Sequence, residues 1–283
     1  MPSLLLAANS EEVLFEVRHF VQVQNAMDAT GIACDAAGNI YITPFTRRTI
    51  GRITPEGKGG LFLTLEERAY GKSLAFAPDG TMMIIDTAGN KVLRFNPANN
   101  GVSVLANIKA AGMLNDLAIT PEGVVYVTDF RKKSIWRVDA DGRVAEVISD
   151  LPSPNGIEVS PDGQTLYVGV WGEKPAVFAF SLAAEGIEKK RLLRSFVARG
   201  FPDGMRCDVD GNLYVTFSGD PVVQKISANG ELLRRVEGML KGPAHLCFGG
   251  PDGRTVYVAN LQGYIRTFRV DRPGLAWQRW QKK

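Results

Sequence analysis

"NDLAITPEGVVYVTD", residues 115–129, reads as two short strands around a turn. An apolar run closes on Pro-Glu-Gly, where proline presets φ and glycine accepts the positive φ that a tight hairpin demands, and a Val-Tyr-Val strand leads away. The same pattern recurs along the chain. Copies are "TGIACDAAGNIYIT" from Thr30, "KSLAFAPDGTMMIID" from Lys72, "NGIEVSPDGQTLYVGVW" from Asn155, "DGMRCDVDGNLYVTF" from Asp203 and "HLCFGGPDGRTVYVAN" from His245. The turn glycines Gly38, Gly80, Gly123, Gly163, Gly211 and Gly253 are separated by 42, 43, 40, 48 and 42 residues. A self-similar period of this length marks a repeat architecture.

A second strand pair follows each copy: "TIGRITPEG", "KVLRFNPANNGVSVL", "SIWRVDADGRVAEVI", "AVFAFSL" with "KRLLRSF", "VVQKISANGELLRRV" and "GYIRTFRV". Four antiparallel strands per unit, six times, without helical periodicity, predict an all-β, six-bladed β-propeller. The repeat units start near 30, 72, 115, 155, 203 and 244, and residues 1–283 are expected to form a single domain. An open ring would leave exposed sheet edges. The strand-like "VLFEVRHFVQV", Val13 to Val23, is therefore expected to complete the last blade. The tail "LAWQRWQKK" adds cover there, with Trp277 and Trp280 on its packed side.

The composition excludes several classes of function. Thirty-three Lys and Arg against 30 Asp and Glu leave a net charge of +3 with no basic stripe, so neither nucleic acid nor a membrane surface is an expected partner. The opening "MPSLLLAANS" lacks the basic start and apolar length of an export signal, and the chain reads as cytoplasmic. Cys34, Cys207 and Cys247 sit in apolar strands without C-x-x-C spacing and read as reduced core residues. "DVDGN" and "DADGR" lack the spacing and closing Glu of a calcium loop and read as turns. There is no G-x-S-x-G elbow and no phosphate loop.

In a propeller the residues that begin the innermost strands converge on one channel mouth. Here they are Thr30, Lys72, Asn115, Asn155, Asp203 and, in the sixth blade, Ala244 or His245, because the extra glycine of "FGGPDG" leaves that register open by one residue. Singly, Asn155-Gly156 and Asp203-Gly204 also read as turn caps. Their recurrence at equivalent positions points to a shared site. Amides and one acid, with histidine scarce, suit a hard cation better than zinc or copper. Phe45, Phe130, Trp171 and Phe217 end the second strands and are candidates for the mouth's apolar wall. Asp86 and Asp129 end two of the same strands and read as structural.

With "MLNDLAITPEG", "SPNGIEVSPDGQTLYV", "GFPDGMRCDVDGNLYV" and "FGGPDGRTVYV" in hand, the chain resembles the family of regucalcin (senescence marker protein 30), gluconolactonases and luciferin-regenerating enzymes over essentially its whole length. The resemblance implies a propeller with one divalent cation at the channel mouth, most readily Ca²⁺, with Mg²⁺, Mn²⁺ or Zn²⁺ as alternatives. It also implies hydrolysis of a lactone or other cyclic ester, a small-molecule substrate. It places Asn115, Asn155 and Asp203 as metal ligands, with Asp203 also as general base. Lys72 and His245 are further catalytic candidates, and Thr30, Met113, Phe130 and Trp171 are candidates for substrate contact. Two departures stand out. Thr30 or its neighbour Ala29 occupies the place of an expected first-blade Glu, and Met113 that of a substrate-contacting Arg, which argues for a less polar substrate than a sugar lactone. The competing expectations are a lyase, isomerase or condensing enzyme on the same scaffold, or a binding propeller without catalysis.

Overall fold

A computed structural model describes residues 12–23, 28–183, 186–197 and 200–281; the opening "MPSLLLAANS" lies outside them. Twenty-four strands form six four-stranded antiparallel sheets. The inner strands of blades one to six are Ala29–Cys34, Gly71–Phe76, Leu114–Ile119, Pro154–Val159, Phe201–Cys207 and Pro243–Gly249. The first five blades are built from consecutive strands. The sixth takes its outermost strand, Arg18–Gln22, from the start of the chain and pairs it with Tyr264–Arg269. The ring therefore closes as expected. All six repeat glycines hold φ between 70° and 88°, the left-handed region the hairpin turns require.

The apolar residues gather in six clusters rather than one core, and each cluster joins two neighbouring blades. Blades two and three share Ile85, Val92, Leu117, Val127 and Trp136, for example. Small residues let the inner strands come together. A Cβ on Gly31 would stand 2.9 Å from the Lys72 carbonyl oxygen, and one on Gly156 only 1.9 Å from that of Asp203.

The tail differs from expectation. Leu275–Gln281 is an α-helix, too short to declare itself by periodicity. It does cover the last blade, since Trp277 packs on Gly253 and Gly274 on Phe248. It also reaches across the far end of the channel, where Arg279 donates to the Ile119 carbonyl at 2.9 Å. The Trp280 side chain lies outside those described. An Asp208–Gly274 bridge and the buried Lys225, 2.7 Å from Asp271 and 3.4 Å from Asp208, anchor the approach to this helix on blade five. Among the described residues no helix is long and apolar enough to cross a membrane.

Candidate active site at the channel mouth

Every inner strand slips register with its neighbour near its start. The irregularities fall between Ala29 and Gly31, Gly71 and Leu74, Leu114 and Leu117, Pro154 and Ile157, Pro202 and Met205, and Pro243 and His245. A bulge re-aims side chains that would otherwise alternate between sheet faces. Two consecutive positions per blade thus come to the channel. The outer ring is Thr30, Lys72, Asn115, Asn155, Asp203 and Ala244; the deeper ring is Gly31, Ser73, Asp116, Gly156, Gly204 and His245. The sixth outer position is therefore Ala244, and His245 does not share a level with Lys72.

The outer ring encloses a cavity of about 270 Å³ that also meets Met113, Phe130, Trp171 and Ser218 and touches Asp116 and His245 at its floor. Its walls come from all six blades. Larger hollows of about 400 and 550 Å³ take their walls from neighbouring blades only.

Asn115 donates through Nδ2 to Asn155 Oδ1, and the Asn155 side chain in turn neighbours the Asp203 carboxyl and favours its charged form. Three blades thus carry one row of amide, amide and acid. Burial pushes the Asp203 carboxyl up to about 7, and the Asp116 charge adds to the rise against the opposing pull of Lys72 and Asn155. Burial lowers the Lys72 ammonium from its usual value although Asp203, Asp116 and Asp28 favour its charge. Both side chains keep part of their surface open. Burial here means enclosure by the six-walled mouth. The Lys72 ammonium lies over the Phe45 ring, 4.4 Å from its centroid. Thr30 Oγ1 donates to the Lys72 carbonyl at 2.9 Å and ties blade one to blade two.

Beneath this lies a network that sequence reasoning missed. Asp116 Oδ1 accepts from Ser73 Oγ at 2.6 Å, and Oδ2 accepts from the Ile157 amide at 3.1 Å. Oδ2 also lies 3.1 Å from His245 Nε2 and 3.6 Å from Arg206 Nη1. One carboxylate on the channel axis is therefore held by blades two, four, five and six as well as its own. Burial alone would raise its pKa, but the His245 and Arg206 charges and the hydrogen bond from Ser73 hold it well below the ordinary carboxylate range. His245 Nδ1 stands 3.0 Å from the Leu246 amide nitrogen and 3.1 Å from the Leu246 carbonyl oxygen, while Nε2 faces Asp116. That approach is off-line for a hydrogen bond, so the contact is an electrostatic one. The deeper ring has glycine at three positions for a steric reason: a Cβ on Gly204 would fall 2.4 Å from the His245 ring.

The aromatic wall is smaller than expected. Phe130 meets Trp171 edge-on at 5.3 Å, Trp171 stacks on Phe201 at 4.9 Å, and Trp171 Nε1 donates to the Pro202 carbonyl at 2.6 Å, beside Asp203. Phe217 does not reach the mouth. It is 2% exposed and packs on Phe196 in the junction of blades four and five. Asp86 and Asp129 are structural, as read: Asp129 accepts from the Gly112, Met113 and Lys132 amides and from Trp136 Nε1, and Asp86 from the Tyr70 and Gly89 amides.

Residues 66–262 match the family described as SMP-30/Gluconolactonase/LRE-like region. The gluconolactonase of Zymomonas mobilis subsp. mobilis is 27% identical over 216 residues, 67% of this chain and 60% of that protein, so the chain spans about three fifths of that relative. Among solved structures, a gluconolactonase from Xanthomonas campestris aligns with a TM-score of 0.75 at 20% identity, covering 87% of this chain and 88% of that one. Regucalcin from Agrobacterium tumefaciens, described as a calcium-binding protein, aligns with a TM-score of 0.74 at 20% identity, covering 92% and 95%. At these identities the structural likeness speaks for the fold. The family match runs from before the second blade's inner strand into the sixth blade, through Asn115, Asn155 and Asp203, and the chain belongs to the SMP-30/gluconolactonase/LRE-like family.

Proposed function

We propose that the protein hydrolyses a lactone or other cyclic ester at the channel mouth. The observation that carries this reading is the row Asn115–Asn155–Asp203 at the wall of a cavity that six blades enclose. The Zymomonas mobilis relative is a gluconolactonase, which supports the same reaction class.

The family resemblance implies a divalent cation on Asn115, Asn155, Asp203 and a first-blade Glu. The side chains present do not fit a firmly held dication. Thr30 replaces the Glu and donates its hydroxyl across the blade junction, Asp203 is the one carboxylate of the outer ring, and Lys72 brings a positive charge into the same cavity. Ligand charge sets the affinity of hard-cation sites, and here the ring's charges cancel.

Hydrolysis then proceeds on the chain's own groups. A water beside Asp203 gives its proton to the carboxylate as its oxygen bonds to the acyl carbon. The ring C–O bond breaks, and Asp203 returns the proton to the departing alkoxide oxygen, leaving a hydroxy acid. The Asn115–Asn155 row orients the carboxylate. Met113, Phe130 and Trp171 make one side of the cavity apolar, so the preferred lactone is less polar than a sugar lactone.

The test is acid release from a panel of alkyl-substituted and sugar lactones, with product masses. Wild type should add one water to an alkyl-substituted lactone faster than to gluconolactone, and Asp203→Asn should lose roughly 100-fold or more, the usual contribution of a general base. A product of unchanged mass would replace hydrolysis with isomerisation, and no turnover of any lactone would remove the reading.

A further inference from the structure

We propose that Lys72 fills, in this chain, the electrophilic role that the family resemblance gives to a divalent cation, so that the site works without metal. The proposal rests on the lactone reading above and names the group that holds the developing oxyanion.

Thr30 and Lys72 occupy equivalent outer-ring positions on adjacent blades, and they are coupled: the Thr30 hydroxyl donates to the Lys72 carbonyl at 2.9 Å. Thr30 is only 9% exposed, so the position expected to carry a carboxylate is turned to blade packing. Gly31 and Thr43 complete the joint. Thr43 Oγ1 also donates to the Lys72 carbonyl, at 3.1 Å, and a Cβ on Gly31 would fall 2.4 Å from Thr43 Oγ1. The backbone of Lys72 is thereby fixed from below by two hydroxyls. Its ammonium lies over the face of Phe45, whose centroid is 4.4 Å away, an arrangement that attracts a cation, and Lys72 is one of the residues that line the cavity. Asp203, across the same cavity, is close enough to act on that charge electrostatically. An acid and an ammonium therefore face one enclosed space from blades five and two.

A positive hydrogen-bond donor aimed at the carbonyl oxygen is what the reaction needs. As water attacks, its proton passes to Asp203 and the carbonyl π pair moves to oxygen, which accepts a hydrogen bond from the Lys72 ammonium. The pair then returns, the ring C–O bond breaks, and the alkoxide takes the proton from Asp203. No redox partner or second substrate enters.

The test compares chelated wild type with Lys72→Met, Lys72→Arg and the double variant Thr30→Glu/Lys72→Met, each with and without Ca²⁺, Mg²⁺, Mn²⁺ or Zn²⁺ at up to about 1 mM, a concentration that fills all but the weakest hard-cation sites. Two quantities are read: the thermal midpoint, which a cation bound only to the native state must raise, and turnover of the lactone that wild type accepts. The expected results are no midpoint or rate response in wild type, a loss of about 100-fold or more in kcat for Lys72→Met, partial retention in Lys72→Arg, and a cation-dependent midpoint rise in the double variant. Wild type that gains midpoint or rate with a cation overturns the proposal, as does Lys72→Met that turns over normally. Wild type that turns over no lactone sinks the hydrolase reading and Lys72's step with it, while the midpoint still decides by itself whether a dication seats in this mouth.

Discussion

His245 Nε2 lies 3.1 Å from Asp116 Oδ2, so blades three and six, opposite one another in the ring, meet on the channel axis. Ser73 and Arg206 join the same carboxylate from blades two and five. Removing one partner of a buried charge network leaves the others uncompensated, at a cost of about 3–5 kcal/mol. Asp116→Ala should therefore lower the unfolding free energy by that amount in urea titrations. Asp116→Asn, which keeps two polar atoms in place, should cost less. A loss below about 1 kcal/mol for the alanine variant would mean that the network adds nothing to stability.

Gly204 has no room for a methyl group. Its Cβ would fall 2.4 Å from the His245 ring and 2.7 Å from the His245 Cα, so rotating the ring does not relieve the clash. Gly204→Ala should destabilise by about 1–3 kcal/mol, the usual cost of overpacking, and should lower turnover by shifting the adjacent Asp203. Equal midpoints for the variant and wild type would contradict this close approach.

Trp171 fixes the Pro202 carbonyl through Nε1 and faces Phe130. Trp171→Ala should raise KM for an apolar lactone by about 10-fold, a typical cost of losing part of an apolar pocket wall. Trp171→Phe should recover most of the packing and none of the hydrogen bond. Initial-rate kinetics on both variants separate the two contributions.

The three cysteines are buried, and burial, with Asp35 nearby, pushes the Cys34 thiol up to about 12. Burial raises Cys207 and Cys247 well above the ordinary thiol value. Because the thiolate is the reactive form, iodoacetamide at about pH 8 should leave the native chain unmodified and alkylate three sites once it is unfolded. Mass spectrometry counts the adducts; a native adduct at any of them would show that its strand opens readily.

Asp252 is held down to about 2, chiefly by its hydrogen bonds to Arg269, which also pairs with Glu12. Its proton binds less readily in the folded chain than in the unfolded one, so its contribution is complete above the ordinary carboxylate range and lost as pH falls toward 2. The side chain is 42% exposed, which limits the contribution to under about 1 kcal/mol. Asp252→Asn should be slightly less stable than wild type at neutral pH, and the gap should close between about pH 4 and 2. A gap that persists at pH 2 would mean that it has another origin.

The six repeats and the outer ring were legible because polar Thr30, Lys72, Asn115, Asn155 and Asp203 interrupt apolar strands at one repeated place. The deeper ring was not, because strict alternation sends the next residue away from the channel and only the bulges bring it back. Two signs of it were present. Asp116 is a charge inside an apolar strand, and glycine follows Thr30, Asn155 and Asp203. The same bulges explain why the sixth register stayed open between Ala244 and His245. Phe217 was misplaced because a residue ending a second strand can turn to the mouth or to a blade junction, and local pattern does not distinguish them. The terminal helix shows a single turn of apolar residues, Leu275 and Ala276 with Trp277, which reads equally well as a strand end.

The pairing of Arg18–Gln22 with Tyr264–Arg269 has a consequence in time. During synthesis Arg18–Gln22 must wait for Tyr264–Arg269, an interval of about ten seconds or more at ordinary rates of translation. Until then the first blade has no sixth blade beside it, and the junction where Ile32 and Ile42 meet Tyr257 and Ile265 is exposed. Closing so distant a pair is slow in the way that all non-local β pairing is slow. The nascent propeller is thus most prone to aggregation just before the strands of the sixth blade emerge, and the ring gains its full cooperativity when that blade closes.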